Sequence, residues 1–219
     1  EVRGFVTGQE KLELDLIYQK LLQKILFRLG RRNKGYCDVF RRKGEETICE
    51  RIEKVVLKDR HSYNVAYYCY AMGNELGFSS SESMSLFIGG MLHDIGKSMI
   101  PDSILLKPSK LTKEEYEIVK KHSEIGYELI KNTLNIDDEI VLSVTLHHHE
   151  RIDGSGYPHQ LKGEKIPFVA RIAAIADAFD AMTSQRVYKA RKNIHDSILE
   201  LHRGKGAQFD YNIADLFIK

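Results

Sequence analysis

Three consecutive imidazoles, His147, His148 and His149, are followed by Glu150 and the loop "RIDGSGYP", which Tyr157 and Pro158 close. A second concentration lies upstream in "HDIGK", where His93, Asp94 and Lys97 fall within five residues. Imidazole and carboxylate together are the usual ligands of divalent transition metals, and one carboxylate can bridge two cations through its two oxygens. If the segment is helical, Lys97 sits about one turn beyond His93 and Asp94, so all three reach the same region. The alternative is an ordinary i,i+3 Asp–Lys surface pair, which contributes little. It leaves the apolar lead-in "SLFIGGML" unexplained.

These residues need elements to bring them together, and the hydrophobic periodicity is helical throughout. β-branched alternation is nearly absent, and apolar residues recur at three- and four-residue intervals. The spacing predicts an all-α fold. An N-terminal helix over 9–32 carries the stripe Leu14, Ile17, Leu21, Ile25 and Leu29. The charged, glycine-containing stretch 31–46 reads as a linker. Helices are expected over 48–77, 82–97, 112–122, 124–133, 137–150, 168–184 and 192–203. "TKEE" at Thr112 is a capping box, Gly77 punctuates the first long helix, and Pro101 and Pro108 bracket a loop.

On five of these helices a ligand-type side chain lies in, or at the end of, the apolar stripe. His61 shares a face with Leu57, Val65 and Tyr68, and His93 follows Leu86 and Gly89. His122 follows Val119, His148 follows Val141 and Val144, and Asp177 follows Ala173 and Ala174. A single buried histidine is usually a hydrogen-bonded core residue. Five helices doing the same is costly, because each buried polar or charged group without a partner loses several kcal/mol of hydration. A shared metal centre is the simplest way to recover that loss.

Composition sets the outer limits. A chain of 219 residues can bury one substantial core, and a net charge of +2 argues for neither a nucleic-acid polymer nor a membrane as partner. No apolar run approaches the roughly 18 residues needed to span a bilayer. Cys37, Cys49 and Cys69 lack metal-type spacing, are odd in number and read as free thiols of a reducing compartment, so the expected location is cytoplasmic. The sequence begins at Glu1 with no signal-peptide pattern and reads as a piece of a longer parent, which has room for a sensor or membrane segment. The N-terminal helix is expected to pack on its own domain. A homodimer through it, on three turns of heptad-like spacing, is the alternative.

"HDIGK", "IPDSILLKPSKLTKEEYEIVKKH", "HHERIDGSGYP", "RIAAIADAFDAMTSQRVYK" and "GAQFD" together resemble the HD-GYP subfamily of HD-domain metal-dependent phosphohydrolases, from about His61 to Phe209. The resemblance implies an HD-domain helical bundle over 47–219, with 1–46 as N-terminal helix and linker. It implies a bacterial phosphodiesterase that hydrolyses cyclic di-GMP to pGpG or GMP by means of a metal-bridging hydroxide. His61, His93, Asp94 and Asp177 would hold one metal, and Asp94 would bridge to a second held by His122, His148 and His149. The metal is expected to be iron, alternatively manganese. Asp94 and Lys97 would serve catalysis, while Lys97, Tyr157, Arg186 and Lys189 would bind substrate. His147 is left as a bystander.

Some members of the subfamily hold a third metal with a glutamate four residues before the first histidine. Residue 57 here is Leu, without a ligand atom, and Asp59 would face another side of a helix, so two metals are expected. Two alternatives compete. One is a phosphohydrolase for another cyclic dinucleotide, and the other is a cyclic di-GMP sensor or interaction module with little turnover.

Overall fold

The computed structural model describes residues 7–32, 48–57, 60–184 and 192–219. Among these the chain is helical, without a strand; one isolated bridge joins Lys205 and Phe209. Helix α1 spans Gly8–Arg32, α2 Ile48–Leu57, α3 Arg60–Glu75 and α4 Ser80–Leu92. A 3-10 turn at Ile95–Met99 and the short α5, Asp102–Leu105, lead to α6, Lys113–Lys120, and α7, His122–Glu128, which ends in a π turn at Leu129–Thr133. Then come α8, Glu139–His147, α9, Phe168–Thr183, α10, Ile194–Gly204, and α11, Tyr211–Ile218.

The termini follow local chemistry. Thr112 and Glu115 exchange side-chain and backbone hydrogen bonds at the start of α6, as the "TKEE" reading expects. Ser79 and Glu82 form a second capping box, so α4 begins at Ser80 and not at residue 82. Gly77 takes φ 76° just past α3, a conformation that favours glycine. The expected helix over 48–77 covers two elements, with residues 58–59 outside the described ones. The short helix between Pro101 and Pro108 and the terminal helix α11 were not expected.

The helix predicted over 82–97 stops at Leu92, and "DIGK" continues as a tighter 3-10 turn. The turn carries Gly96 against the first residue of α7, where an added Cβ would come within 1.9 Å of the His122 carbonyl oxygen. Only glycine permits that approach, which brings Asp94 beside the His122 ring.

Two apolar clusters hold the bundle. One joins Leu14, Tyr18 and Ile25 of α1 with Ile52 and Val56 of α2, Phe87, Met91 and Leu92 of α4, and Val141 of α8. The other joins Val65, Cys69 and Met72 of α3 with Ile172, Ile175 and Phe179 of α9, Leu201 of α10, and Ile213 of α11. Each fully buried Leu, Ile or Phe contributes on the order of 1.5–3 kcal/mol. Helices α3, α4 and α8 contribute side chains to both clusters, so their relative positions are fixed from two sides. Helix α1 packs on the domain through buried Leu14 and Ile25 of the predicted stripe and through Tyr18, whose hydroxyl donates to the Val56 carbonyl at 2.6 Å. Cys69 is a buried free thiol. No helix among the described residues is long and apolar enough to cross a membrane.

Candidate metal centre

Five helices deliver the ligand-type side chains to one place. His61 lies in the first turn of α3, His93 and Asp94 just past the end of α4, and His122 at the start of α7; His148 and His149 follow α8, and Asp177 lies on α9. His61, His93, Asp94, His122 and His148 are buried. Two groups have ligand atoms mutually within 4.8 Å: Asp94 with His122, His148 and His149, and Asp94 with His61 and His93. Asp94 belongs to both groups. Its Oδ1 lies 3.3 Å from His122 Nε2 and 3.9 Å from His148 Nε2, and its Oδ2 lies 3.2 Å from His93 Nε2. Asp177 stands at the edge of both, with Oδ1 3.1 Å from His61 Nε2 and Oδ2 4.0 Å from His149 Nδ1.

Hydrogen bonds on the far side of each ring determine what faces the centre. His93 Nδ1 is 2.7 Å from the Gly90 carbonyl, His122 Nδ1 is 2.7 Å from the Val119 carbonyl, and His148 Nδ1 is 3.0 Å from the Thr145 carbonyl. A carbonyl only accepts, so each Nδ1–H donates outward and each Nε2 is turned inward. The Nε2 atoms of His122 and His148 face each other at 3.4 Å. His93 Nε2 and Asp94 Oδ1 are buried without a hydrogen-bond partner. Imidazole nitrogens and carboxylate oxygens that converge in this way, some of them buried and unpartnered, fit divalent metal ligation.

The electrostatics differ across the cluster. Burial pushes the His61 imidazolium down, but hydrogen bonds to Asp177 and Asp180 outweigh it and raise its pKa to about 9. His149 goes the other way, pushed down to about 3 by burial with the neighbouring His122 adding to it, against the pull of Asp177. Burial, followed by the surrounding imidazoles, likewise holds His148 well below its ordinary value. Burial works against the charge on Asp94, yet Lys97 and then His93 keep its carboxyl well below the usual carboxylate range. The Lys97 ammonium lies 2.5 Å from Asp94 Oδ2.

The centre opens into a cleft of about 390 Å³ lined by Lys97, Tyr116, His122, His149, Tyr157 and Asp177, among others. Tyr157 lies over His149 with ring centroids 4.7 Å apart, and burial pushes its phenol upward, so it stays neutral. Arg186 and Lys189 lie outside the described residues.

Sequence reasoning missed the outer layer. Asp180 accepts from His61 Nδ1 at 2.6 Å, and Asn64 and Ser184 bond its other oxygen at 2.7 and 2.9 Å. A signal was present in "DAFD", since Asp180 lies three residues after Asp177 on the same helix face. Glu150, also overlooked, is buried and accepts the backbone N–H of His159 at 2.7 Å and of Leu161 at 3.0 Å, anchoring the glycine loop. His147 is outside the main ligand groups and lies beside Glu150 and His159.

Histidines and aspartates of an all-helical bundle that converge on two groups sharing Asp94 make a candidate divalent-metal centre. The HD domain family model matches residues 43–213. The chain is 43% identical over 148 residues to "Cyclic di-GMP phosphodiesterase response regulator RpfG" of Xanthomonas campestris, covering 68% of this chain and 39% of that protein. It is 35% identical over 217 residues to "3'3'-cGAMP-specific phosphodiesterase 2" of Vibrio cholerae, covering 96% of this chain and 41% of that one. A solved structure, the HDGYP protein Bd1817 from Bdellovibrio bacteriovorus, aligns with TM-score 0.59 at 19% identity over 72% of this chain and 50% of its own, which shows the fold. The chain belongs to the HD domain family, in its HD-GYP branch. It spans about two fifths of the length of these two curated relatives.

Proposed function

We propose that this chain is the catalytic part of a metal-dependent phosphodiesterase that hydrolyses cyclic di-GMP to pGpG, and to GMP if the linear product is accepted. The observation that carries the reading is Asp94, which has one oxygen toward His122 and His148 and the other toward His93, beside a cleft lined by Lys97. In this reading His61, His93, Asp94 and Asp177 hold one ion, and Asp94, His122, His148 and His149 hold the other. Two ions are proposed, because Leu57 offers no third-site ligand. Iron is the preferred metal and manganese the alternative, in keeping with mixed imidazole and carboxylate ligation. When bound, such ions supply Lewis acidity toward a phosphoryl oxygen and bring the pKa of coordinated water near neutrality.

The chain's own residues do the rest. The 2.5 Å contact between Lys97 and Asp94 puts the ammonium at the edge of the centre, where it can stabilise charge growing on a non-bridging phosphoryl oxygen. Neutral Tyr157 offers the cleft an aromatic face and a hydroxyl donor. Arg186 and Lys189 are proposed to grip phosphate. Water adds across one P–O3′ bond of the ring, which frees a 3′-hydroxyl and leaves a 5′-phosphate, and no covalent enzyme intermediate is required.

A second reading has one specific support. The relative aligned over 96% of this chain carries the name of a 3'3'-cGAMP-specific enzyme, and the ligand residues do not choose a base. Chromatography of products from equal concentrations of cyclic di-GMP and 3'3'-cGAMP tests both. Faster pGpG formation supports the first reading, and turnover of the mixed dinucleotide alone replaces it.

A further inference from the structure

Beside the cluster already described and sharing none of its ligand residues, His147, Glu150 and His159 bring three ligand atoms within 4.8 Å of one another. His147 is the last residue of α8, Glu150 stands at the base of the loop, and His159 follows Pro158. Anchoring of the loop explains Glu150 alone, since its two oxygens accept the His159 and Leu161 N–H groups. It does not explain why His147 Nδ1 is buried without a hydrogen-bond partner, 4.0 Å from Glu150 Oε1. Nor does it explain why the exposed His159 ring lies 5.3 Å, centroid to centroid, from the His147 ring.

We propose that His147, Glu150 and His159 form a separate site for one divalent transition-metal ion, which fastens the glycine loop to the end of α8. Each Glu150 oxygen accepts one backbone N–H and keeps a lone pair for a cation. Two imidazoles and a carboxylate suit zinc, cobalt or nickel, with water completing the shell at this partly exposed position. Ligand atoms at about 2.1 Å from one ion stand at most about 4.2 Å apart, so the site closes by a small swing of the His159 ring, which is exposed and has room to move. His159 is two residues from Tyr157, whose ring covers His149. An ion here therefore stiffens the segment that positions Tyr157 over the cleft. The binding itself goes beyond the phosphodiesterase reading, and only this effect on Tyr157 rests on it.

The test is equilibrium dialysis of the 219-residue chain against zinc, followed by elemental analysis, for wild type, His159→Ala, His147→Gln and Asp94→Ala. Wild type is expected to hold one zinc more than either histidine variant, and Asp94→Ala to keep that one while losing the ions of the main centre. Equal zinc content in wild type and both histidine variants overturns the proposal. Loss of all zinc from Asp94→Ala overturns the independence of the site. If the triad fails, His159→Ala and wild type both still hold the main-centre ions, so its failure is distinct from failure of the phosphodiesterase reading.

Discussion

On one side of Asp94 stand two imidazoles, His61 and His93, and His61 lies between two further carboxylates, Asp177 and Asp180; on the other, three imidazoles crowd toward Asp94. The same residue types therefore behave in opposite ways. In the metal-free protein the carboxylate-rich side holds a proton on His61, whereas the imidazole-rich side leaves His148 and His149 neutral. A cation entering the first side must displace a proton. A cation entering the second meets lone pairs already exposed. The two halves, joined by Asp94, should thus load with different pH dependence, the His61 half releasing a proton to solvent.

Removing the joint should have the largest effect. Asp94→Ala is expected to lose both ions and to lower turnover by about 10³-fold or more, the scale of removing a principal electrostatic stabiliser. Elemental analysis and product assay on one preparation check this, and two retained ions would show that the halves are independent.

Lys97→Met should leave metal content intact and lower turnover by about 10²-fold, since only transition-state charge stabilisation is removed. Comparing kcat at unchanged metal occupancy decides it; a loss of metal would make Lys97 part of the cage.

Asp180→Asn singles out the carboxylate-rich side. Outer-shell partners of a ligating histidine contribute about 10–100-fold in metal affinity. Competition with a chelator should show weakened binding of one ion and unchanged binding of the other. Weakening of both would erase the asymmetry.

The smallest effect concerns the metal-free protein. His61, with its folded pKa raised to about 9, contributes stability that is full below the unfolded value near 6.5 and is lost as pH rises through 9. His149, depressed to about 3, is charged in the unfolded chain below about 6.5, so its contribution is lost as pH falls from 6.5 toward 3. Urea midpoints of chelator-treated protein should peak near pH 6.5. A steady rise to pH 9 would contradict the protonated His61.

Most of the inward-facing polar side chains, His61, His93, His122, His148 and Asp177, are legible because each sits in or at the end of an apolar stripe, where a polar side chain is conspicuous; His149 as a candidate ligand comes from the family resemblance alone. The all-helical fold followed from the same periodicity. The layer outside them was not legible in that way. The partners of His93, His122 and His148 are backbone carbonyls three or four residues upstream, and a carbonyl has no side-chain signature. Asp180 carries a signature, three residues after Asp177 on α9, but its spacing alone does not distinguish it from a surface acid. The end of α4 at Leu92 depends on a close approach between Gly96 and His122 that only the folded chain creates. The closeness of His147 to His159 arises across the glycine loop, where helical spacing gives no guidance.

The central claim is that Asp94 joins two metal positions into one hydrolytic centre. Its most direct test is anaerobic reconstitution with iron or manganese, with metal content and the products from cyclic di-GMP measured on the same sample. Two ions per chain with pGpG or GMP formed is the predicted result. Two ions with no hydrolysis of cyclic di-GMP would contradict the account and leave a binding module in place of an enzyme.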